Sequence, residues 1–222
     1  MPDCVAIVSG GMDSVTLLHY LVKTEKLNPA VVSFAYGQKH AKEIDYAREN
    51  AALLGCASFQ VIDLSPYRTV FGNSALVSEQ AAIPDIEDVR GDPQPATYVP
   101  NRNMLFLSFA AAYAESLGVS RVFYGAQAHD QYGYWDCTPE FLERVNQVYA
   151  LNRKTPVQIE APFVRRSKAD ILQTGLKLGV DYARTWSCYA GQERACGRCP
   201  TCAERLKAFA EIGMTDPLPY MD

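Results

Sequence analysis

No lysine stands anywhere between Pro2 and Val22. That absence excludes a Walker-type phosphate loop, in which a lysine directly after the glycines reaches the β and γ phosphates. Long apolar runs are also missing. The longest surrounds Met104 to Ala114 and is broken by Tyr113 and Glu115, short of the roughly 20 residues a membrane-spanning helix needs. The first residues carry neither a basic segment nor an extended apolar stretch, so no export signal is expected and the cytoplasm is the expected compartment. Basic residues do not predominate either: Lys and Arg total 21 against 25 Asp and Glu, for a net charge of −4. Direct binding of nucleic acid normally needs a clustered basic face, so a small-molecule substrate is expected instead. The local exception is Arg165-Arg166 with Lys168, which suits either a phosphate or a solvated helix start. There is no internal repeat or low-complexity tract.

The chain has 222 residues, 48% of them hydrophobic, enough for one α/β domain with a small appendage. Val5 to Val8 reads as a buried strand, Ser14 to Lys23 as a helix and Ala30 to Ala35 as a second strand, the alternation that builds a parallel sheet. Ile44, Ala47, Ala51 and Leu54 recur at helical spacing before Gly55, a C-terminal cap, and a third strand is expected near Phe59 to Ile62. Residues 65–100 break the rhythm with Pro66, Pro84, Pro93, Pro95 and Pro100 and the acidic residues Asp85, Glu87, Asp88 and Asp92. Such a long excursion reads as a lid, a binding wall, a dimer contact or plain surface. Regular structure returns with a helix from Asn103 to Leu117, expected to be buried nearly all round, and a strand from Arg121 to Gly125. A helix over Pro139 to Leu151, an edge strand over Val157 to Ala161 and a helix to Leu178 opened by the capping box Ser167-x-x-Asp170 complete the pattern.

Ser9-Gly10-Gly11-Met12-Asp13-Ser14 lies between the first strand and the first helix. Two glycines permit a sharp turn and close approach to a ligand, and the helix behind them aims its free N–H groups and positive dipole end at an anion. Ser9, Ser14 and the loop amides could therefore cradle a phosphate; the alternative is a plain strand-to-helix turn capped by Asp13.

A second candidate follows the strand at Arg121, where Gly125 to Cys137 is dense in aromatic rings and carboxylates. Ligand crevices in α/β sheets form at such strand ends. The aromatic faces suit a flat heterocycle and Asp136 could accept hydrogen bonds from its N–H groups. Asp130 could instead hold a magnesium ion on a triphosphate, and His129 is as readily a structural histidine.

Four of the seven cysteines, Cys188, Cys196, Cys199 and Cys202, have the spacing C-x7-C-x2-C-x2-C. Short spacers wrap thiolates around one ion, and four sulfurs satisfy tetrahedral zinc in a closed structural site. Disulfides are the competing reading, disfavoured in a reducing cytosol. Cys4 and Cys56 sit in apolar or helix-end contexts and read as small core residues.

Together these motifs resemble the QueC family of the N-type ATP pyrophosphatases, the PP-loop superfamily. The match rests on Ser9 to Ser14, Phe34-Ala-Tyr-Gly-Gln-Lys-His40, Val99-Pro-Asn-Arg-Asn103, Gly133-Tyr-Trp-Asp-Cys137 and the four cysteines, in order from about Cys4 to Pro217. The resemblance implies a Rossmann-like adenine nucleotide alpha hydrolase fold over residues 1–185 and a zinc-binding helical subdomain over 186–222. It further implies an ATP-dependent carbon–nitrogen ligase, a 7-cyano-7-deazaguanine synthase. Such an enzyme adenylates 7-carboxy-7-deazaguanine, makes the amide with ammonia and dehydrates it to the nitrile for queuosine-type synthesis. Carried over residue by residue, Ser9, Gly10, Gly11, Met12, Asp13 and Ser14 bind the pyrophosphate end of ATP with magnesium. Asp13, Arg102 and Lys168 serve the adenylation, and Tyr36, Gln38, His40, Arg102, Asp130, Trp135 and Asp136 line the substrate. A homodimer is implied as well.

The family pattern commonly has glycine where this chain has Asn101, proline where it has Trp135 and arginine where it has Thr138. These departures leave the nitrile, the amide and a conjugate with another amine open as products. Two other classes stay open at this level: a tRNA-modifying member of the superfamily, which would be expected to carry a basic RNA-binding surface, and a non-catalytic nucleotide-binding module.

Overall fold

The computed structural model describes residues 1–39, 42–72, 74–92, 94–128 and 134–221. Five strands, β1 (Cys4–Ile7), β2 (Pro29–Ala35), β3 (Ser58–Asp63), β4 (Arg121–Phe123) and β5 (Gln158–Glu160), form one sheet in the order β3-β2-β1-β4-β5. Every pairing is parallel, with Val5 opposite Ala30 on one side and Val122 on the other. Val5, Ala30, Val31, Val32 and Val122 are wholly buried because helices cover both faces, which is why these strands read as continuous apolar runs.

The helices are α1 (Met12–Lys23), α2 (Glu43–Leu53), α3 (Ile86–Val89), α4 (Arg102–Leu117), α5 (Pro139–Tyr149), α6 (Lys168–Lys177) and α7 (Pro200–Glu211). Leu17, Leu18 and Leu21 of α1 pack with Ala47, Ile171, Leu172 and Phe209 on one face of the sheet. Leu107, Ala110, Ala111 and Ala114 of α4 pack with Phe34, Phe141 and Ile159 on the other. Full burial of each such leucine contributes about 1.5–3 kcal/mol relative to exposure, a sizeable share of a domain's net stability.

Several expectations need revision. Helix α4 is not buried nearly all round: its alanines let one stripe press on the sheet, whereas Phe109 and Leu117 remain 42% and 37% exposed. Asp13 does not cap α1; Gly11 holds the N-cap position and Asp13 lies in the first turn, so its carboxylate is available for other partners. The stretch from 65 to 100 is more than plain surface. It holds a 3₁₀ turn (Ser65–Phe71) and α3, which is closed by a capping box between Asp85 and Asp88. The Ser167–Asp170 capping box is present as expected, with Asp170 N donating to Ser167 Oγ at 3.1 Å.

The C-terminal segment is tied down by a buried ion pair. Arg205 donates through Nε and one terminal nitrogen to both oxygens of Asp216 at 2.6 and 2.9 Å, and also bonds Thr185 Oγ1 and the Tyr182 carbonyl. These four hydrogen bonds, two of them to a carboxylate, are what make a buried guanidinium tolerable. No helix among the described residues is long and apolar enough to cross a membrane.

Candidate active site

The strand order reverses between β1 and β4, and the crevice expected at such a switch point opens at the carboxyl ends of the strands. It has a volume of about 590 Å³. Its floor is the loop Ser9 to Ser14. Gly10 has φ +98, and a Cβ placed there would lie 1.9 Å from the Glu43 carbonyl oxygen, so only glycine fits where α2 runs against the loop. The Ser9 and Gly10 amides both point at Ser14 Oγ, at 3.2 Å each, and the Gly11 amide at Ser9 Oγ, at 3.3 Å. The donors thus converge inside the loop at the start of α1.

Beside the loop, Lys168 Nζ, on the first turn of α6, donates to Asp13 Oδ2 at 3.0 Å and stands 3.5 Å from Glu204 Oε2 on α7. Asp13 Oδ1 is buried and has no hydrogen-bond partner among the described residues. That oxygen, next to a loop of converging amides, fits a magnesium ligand.

The opposite wall is aromatic. Phe34 stacks on Phe106 with ring centroids 4.1 Å apart, Tyr36 tilts against Phe106 at 5.5 Å, and the Tyr134 hydroxyl meets Thr97 Oγ1 at 2.9 Å. Arg102 opens α4 into this wall. Burial works against its charge, but the neighbouring Tyr36, Tyr189, Tyr134 and Asp136 hold its pKa above the ordinary value. The same burial pushes the Tyr36 hydroxyl up to about 12. Ile86, Val89, Arg90, Asp92, Pro95 and Thr97 border the cleft as well, so part of the proline-rich excursion forms one of its walls.

The expected site residues divide into two groups. Ser9, Gly11, Met12, Asp13, Ser14, Tyr36, Arg102 and Lys168 all border the cleft. Gly10, Gln38, Trp135 and Asp136 do not, Gly10 being turned under α2. Gln38 shapes the turn after β2, accepting from Tyr36 N at 2.8 Å and donating to the Phe34 carbonyl at 3.0 Å. Asp136 is 2% exposed and accepts from Asn103 N at the start of α4; burial raises its pKa, opposed by Arg102. Trp135 is 48% exposed, donates to Tyr98 Oη and meets Phe141 edge to face. His40, His129 and Asp130 lie outside the described residues.

The family departures have local explanations. Asn101 adopts φ 52, the left-handed conformation for which glycine is favoured and asparagine is the best substitute. Thr138 caps α5, its hydroxyl accepting from Phe141 N at 3.1 Å and donating to the Trp135 carbonyl at 3.0 Å. Neither residue borders the cleft.

Sequence reading missed Glu43. A glutamate in a helix's first turn reads as an ordinary dipole partner, yet here it is 8% exposed, borders the cleft and has its carboxyl pushed up to about 8 by burial, opposed by Arg102 and by Gln38.

The four cysteine sulfurs lie within 4.8 Å of one another and could hold a metal ion such as zinc. Tetrahedral zinc would set them about 3.8 Å apart, from Zn–S bonds of about 2.3 Å. Backbone amides already point at these sulfurs: Ala190 N and Cys196 N at Cys188, and Cys199 N at Cys196. The cluster also sits directly behind the loop, because Trp186 N donates to the Gly10 carbonyl at 2.9 Å. On its other side the Arg198 carbonyl accepts from Ile86 N at 3.1 Å, and its guanidinium pairs with Asp85, anchoring α3.

Comparison with known proteins agrees with this arrangement. A family model described as queuosine biosynthesis protein QueC matches residues 3–213. A 7-cyano-7-deazaguanine synthase of Chromohalobacter salexigens is 47% identical over 97% of this chain and 85% of its own length. One of Alteromonas mediterranea is 46% identical over 98% of each. Among solved structures, the NMN synthetase of Francisella tularensis has a TM-score of 0.53 at 16% identity, covering 96% of this chain and 79% of its own, a likeness of fold alone. The glycine loop, the aromatic cleft and the four-cysteine cluster thus occur in a chain that belongs to the QueC family.

Proposed function

We propose that the chain is an ATP-dependent carbon–nitrogen ligase that turns 7-carboxy-7-deazaguanine and ammonia into 7-cyano-7-deazaguanine. The observation that carries this reading is the cleft itself: a glycine loop at a helix N-terminus with Asp13 and Lys168 at one end, facing an aromatic wall with the half-buried guanidinium of Arg102 at the other. A carboxylate is a poor electrophile. Its attack on the α-phosphorus of ATP makes a mixed anhydride, and the loop from Ser9 to Ser14 holds the departing pyrophosphate through its amides and the α1 dipole. Lys168 and Arg102 neutralise charge that develops in that step, where fixed donors act most strongly. Phe106, Tyr36 and Tyr134 offer apolar faces to the flat heterocycle. Asp136 acts from behind Arg102, holding the start of α4. Ammonia then displaces AMP; activation of the amide oxygen by a second ATP allows loss of AMP to give the nitrile.

Magnesium, when bound with ATP, offsets phosphate charge, and Asp13 Oδ1 would be its protein ligand. Zinc on Cys188, Cys196, Cys199 and Cys202 would be structural, bracing the segment from Trp186 to Thr201 against the loop. The substrates are small molecules. A homodimer is part of this reading, and light scattering on the purified chain tests it.

The deciding experiment incubates the protein with ATP, magnesium, ammonium and 7-carboxy-7-deazaguanine and follows products by mass. Nitrile formation is expected; absence of both amide and nitrile rejects the reading.

A further inference from the structure

Four carboxyl groups border the cleft among the described residues: Asp13, Glu43, Asp92 and Glu204. Asp13 is tied to Lys168 at 3.0 Å, and Glu204 stands 3.5 Å from the same lysine. Asp92 belongs to the exposed outer wall, where it accepts from Gln94 N. Glu43 differs from all three. Its backbone is clamped under Gly10, its side chain is buried between the loop and Tyr36, and Gln38 Nε2 approaches its Oε1 at 3.5 Å. Gln38 is itself locked by Tyr36 N and the Phe34 carbonyl, so its amide is held in one orientation beside the carboxyl.

Resting on the proposed function, we propose that Glu43 is the proton acceptor of the amine-transfer and dehydration steps, oriented by Gln38. When the ammonia lone pair forms the C–N bond to the acyl carbon, the nitrogen becomes cationic and passes a proton to the Glu43 carboxylate. The C–O bond to AMP then breaks, its electron pair leaving on the phosphate. In the second stage the amide nitrogen gives up the first of its two protons to water as its oxygen is adenylated, and the resulting imidate still carries one N–H. Transfer of that proton to Glu43 lets the nitrogen electrons form the nitrile as the C–O bond to AMP breaks again. Glu43 releases its proton to water between stages. A general base works best when its pKa lies near the operating pH, and burial moves Glu43 in that direction while Arg102, facing it from α4, limits the shift; among the described residues Tyr36 is a further titratable group beside it.

The test is Glu43→Gln, which keeps the shape and removes the base. Pyrophosphate–ATP exchange dependent on 7-carboxy-7-deazaguanine reports adenylation alone, whereas mass analysis reports amide and nitrile. Exchange is expected within about threefold of wild type, with product formation lower by about 10²–10⁴-fold. Hydroxylamine, neutral at assay pH and strongly nucleophilic, is expected to restore acyl transfer in the variant as hydroxamate. Amide formation at the wild-type rate overturns the proposal, and so does loss of exchange together with product. If Glu43→Gln does not fold, Glu43→Asp serves: unchanged exchange with slower product formation supports the role, and parallel loss of both overturns it. Wild-type protein without exchange rejects the adenylating reading itself, which separates that failure from this one.

Discussion

Lys168 Nζ donates to Asp13 Oδ2 at 3.0 Å across 155 positions of sequence, joining the start of α6 to the start of α1. Both side chains are mostly buried at the mouth of the Ser9–Ser14 loop, at 10% and 19% exposure, so the contact is screened less than a surface pair. Asp13 thus presents one oxygen to lysine, while its other oxygen is buried with no hydrogen-bond partner among the described residues.

Replacing Lys168 with methionine should lower pyrophosphate exchange by about 10²–10³-fold, the usual cost of removing one fixed donor from a charge-developing site. Asp13→Ala should abolish turnover. Circular dichroism and metal content, unchanged in both, would separate this from unfolding; retained exchange in either variant removes its role.

Gly10→Ala forces a Cβ to within 1.9 Å of a backbone oxygen at φ +98. The loop or α2 must move, and a stability loss of about 1–3 kcal/mol is expected with loss of nucleotide binding. Thermal melting and a nucleotide titration check both.

Metal removal should reach the cleft. The hydrogen bond from Trp186 N to the Gly10 carbonyl, the Arg198 contacts to α3 and the Glu204 approach to Lys168 connect the cysteine segment to the loop and its outer wall. Chelation is expected to lower the melting temperature and to weaken ATP binding by about 5–150-fold, a usual coupling range. Equally tight ATP binding by a folded, metal-free chain contradicts the coupling.

Glu43 gives stability a pH dependence. Its carboxyl rises from an ordinary 4.5 to about 8 on folding, because burial disfavours the charge more than Arg102 and Gln38 favour it. Between these values the folded state binds more protons than the unfolded one, so this contribution is full below about 4.5 and is lost as pH rises through about 8. Melting curves should therefore show wild type losing stability across that window relative to Glu43→Gln. Parallel pH profiles would count against it.

Asn101→Gly should leave activity intact and shift stability by less than about 1 kcal/mol, since both residues accept φ 52. Asn101→Val should lose about 1–2 kcal/mol, read as a lower denaturant midpoint. Changed products in the glycine variant would restore Asn101 as a determinant of chemistry.

The strands, the loop and the cysteine cluster were legible because each is written in local sequence: continuous apolar runs, a glycine pair between strand and helix, close thiol spacing. Gln38 and Glu43 were not. Both lie in one short stretch, yet Gln38 turns inward to hold backbone while Glu43 reaches the cleft, and their spacing does not distinguish the two. The burial of α4 was overestimated for a related reason, since apolar composition does not reveal that the helix presses only one stripe on the sheet.

By itself the sequence determined the alternation of strands and helices, the glycine turn at the start of α1 and the thiolate set, because periodicity, backbone freedom and ligand spacing act over a few residues. Tertiary structure alone decided which carboxyl enters the cleft, that Lys168 meets Asp13, and that the cysteine segment leans on Gly10 through Trp186. Those relationships arise from parallel strands that bring distant helix starts to one end of the sheet. Burial there changes proton affinity and charge pairing in ways that no local pattern encodes.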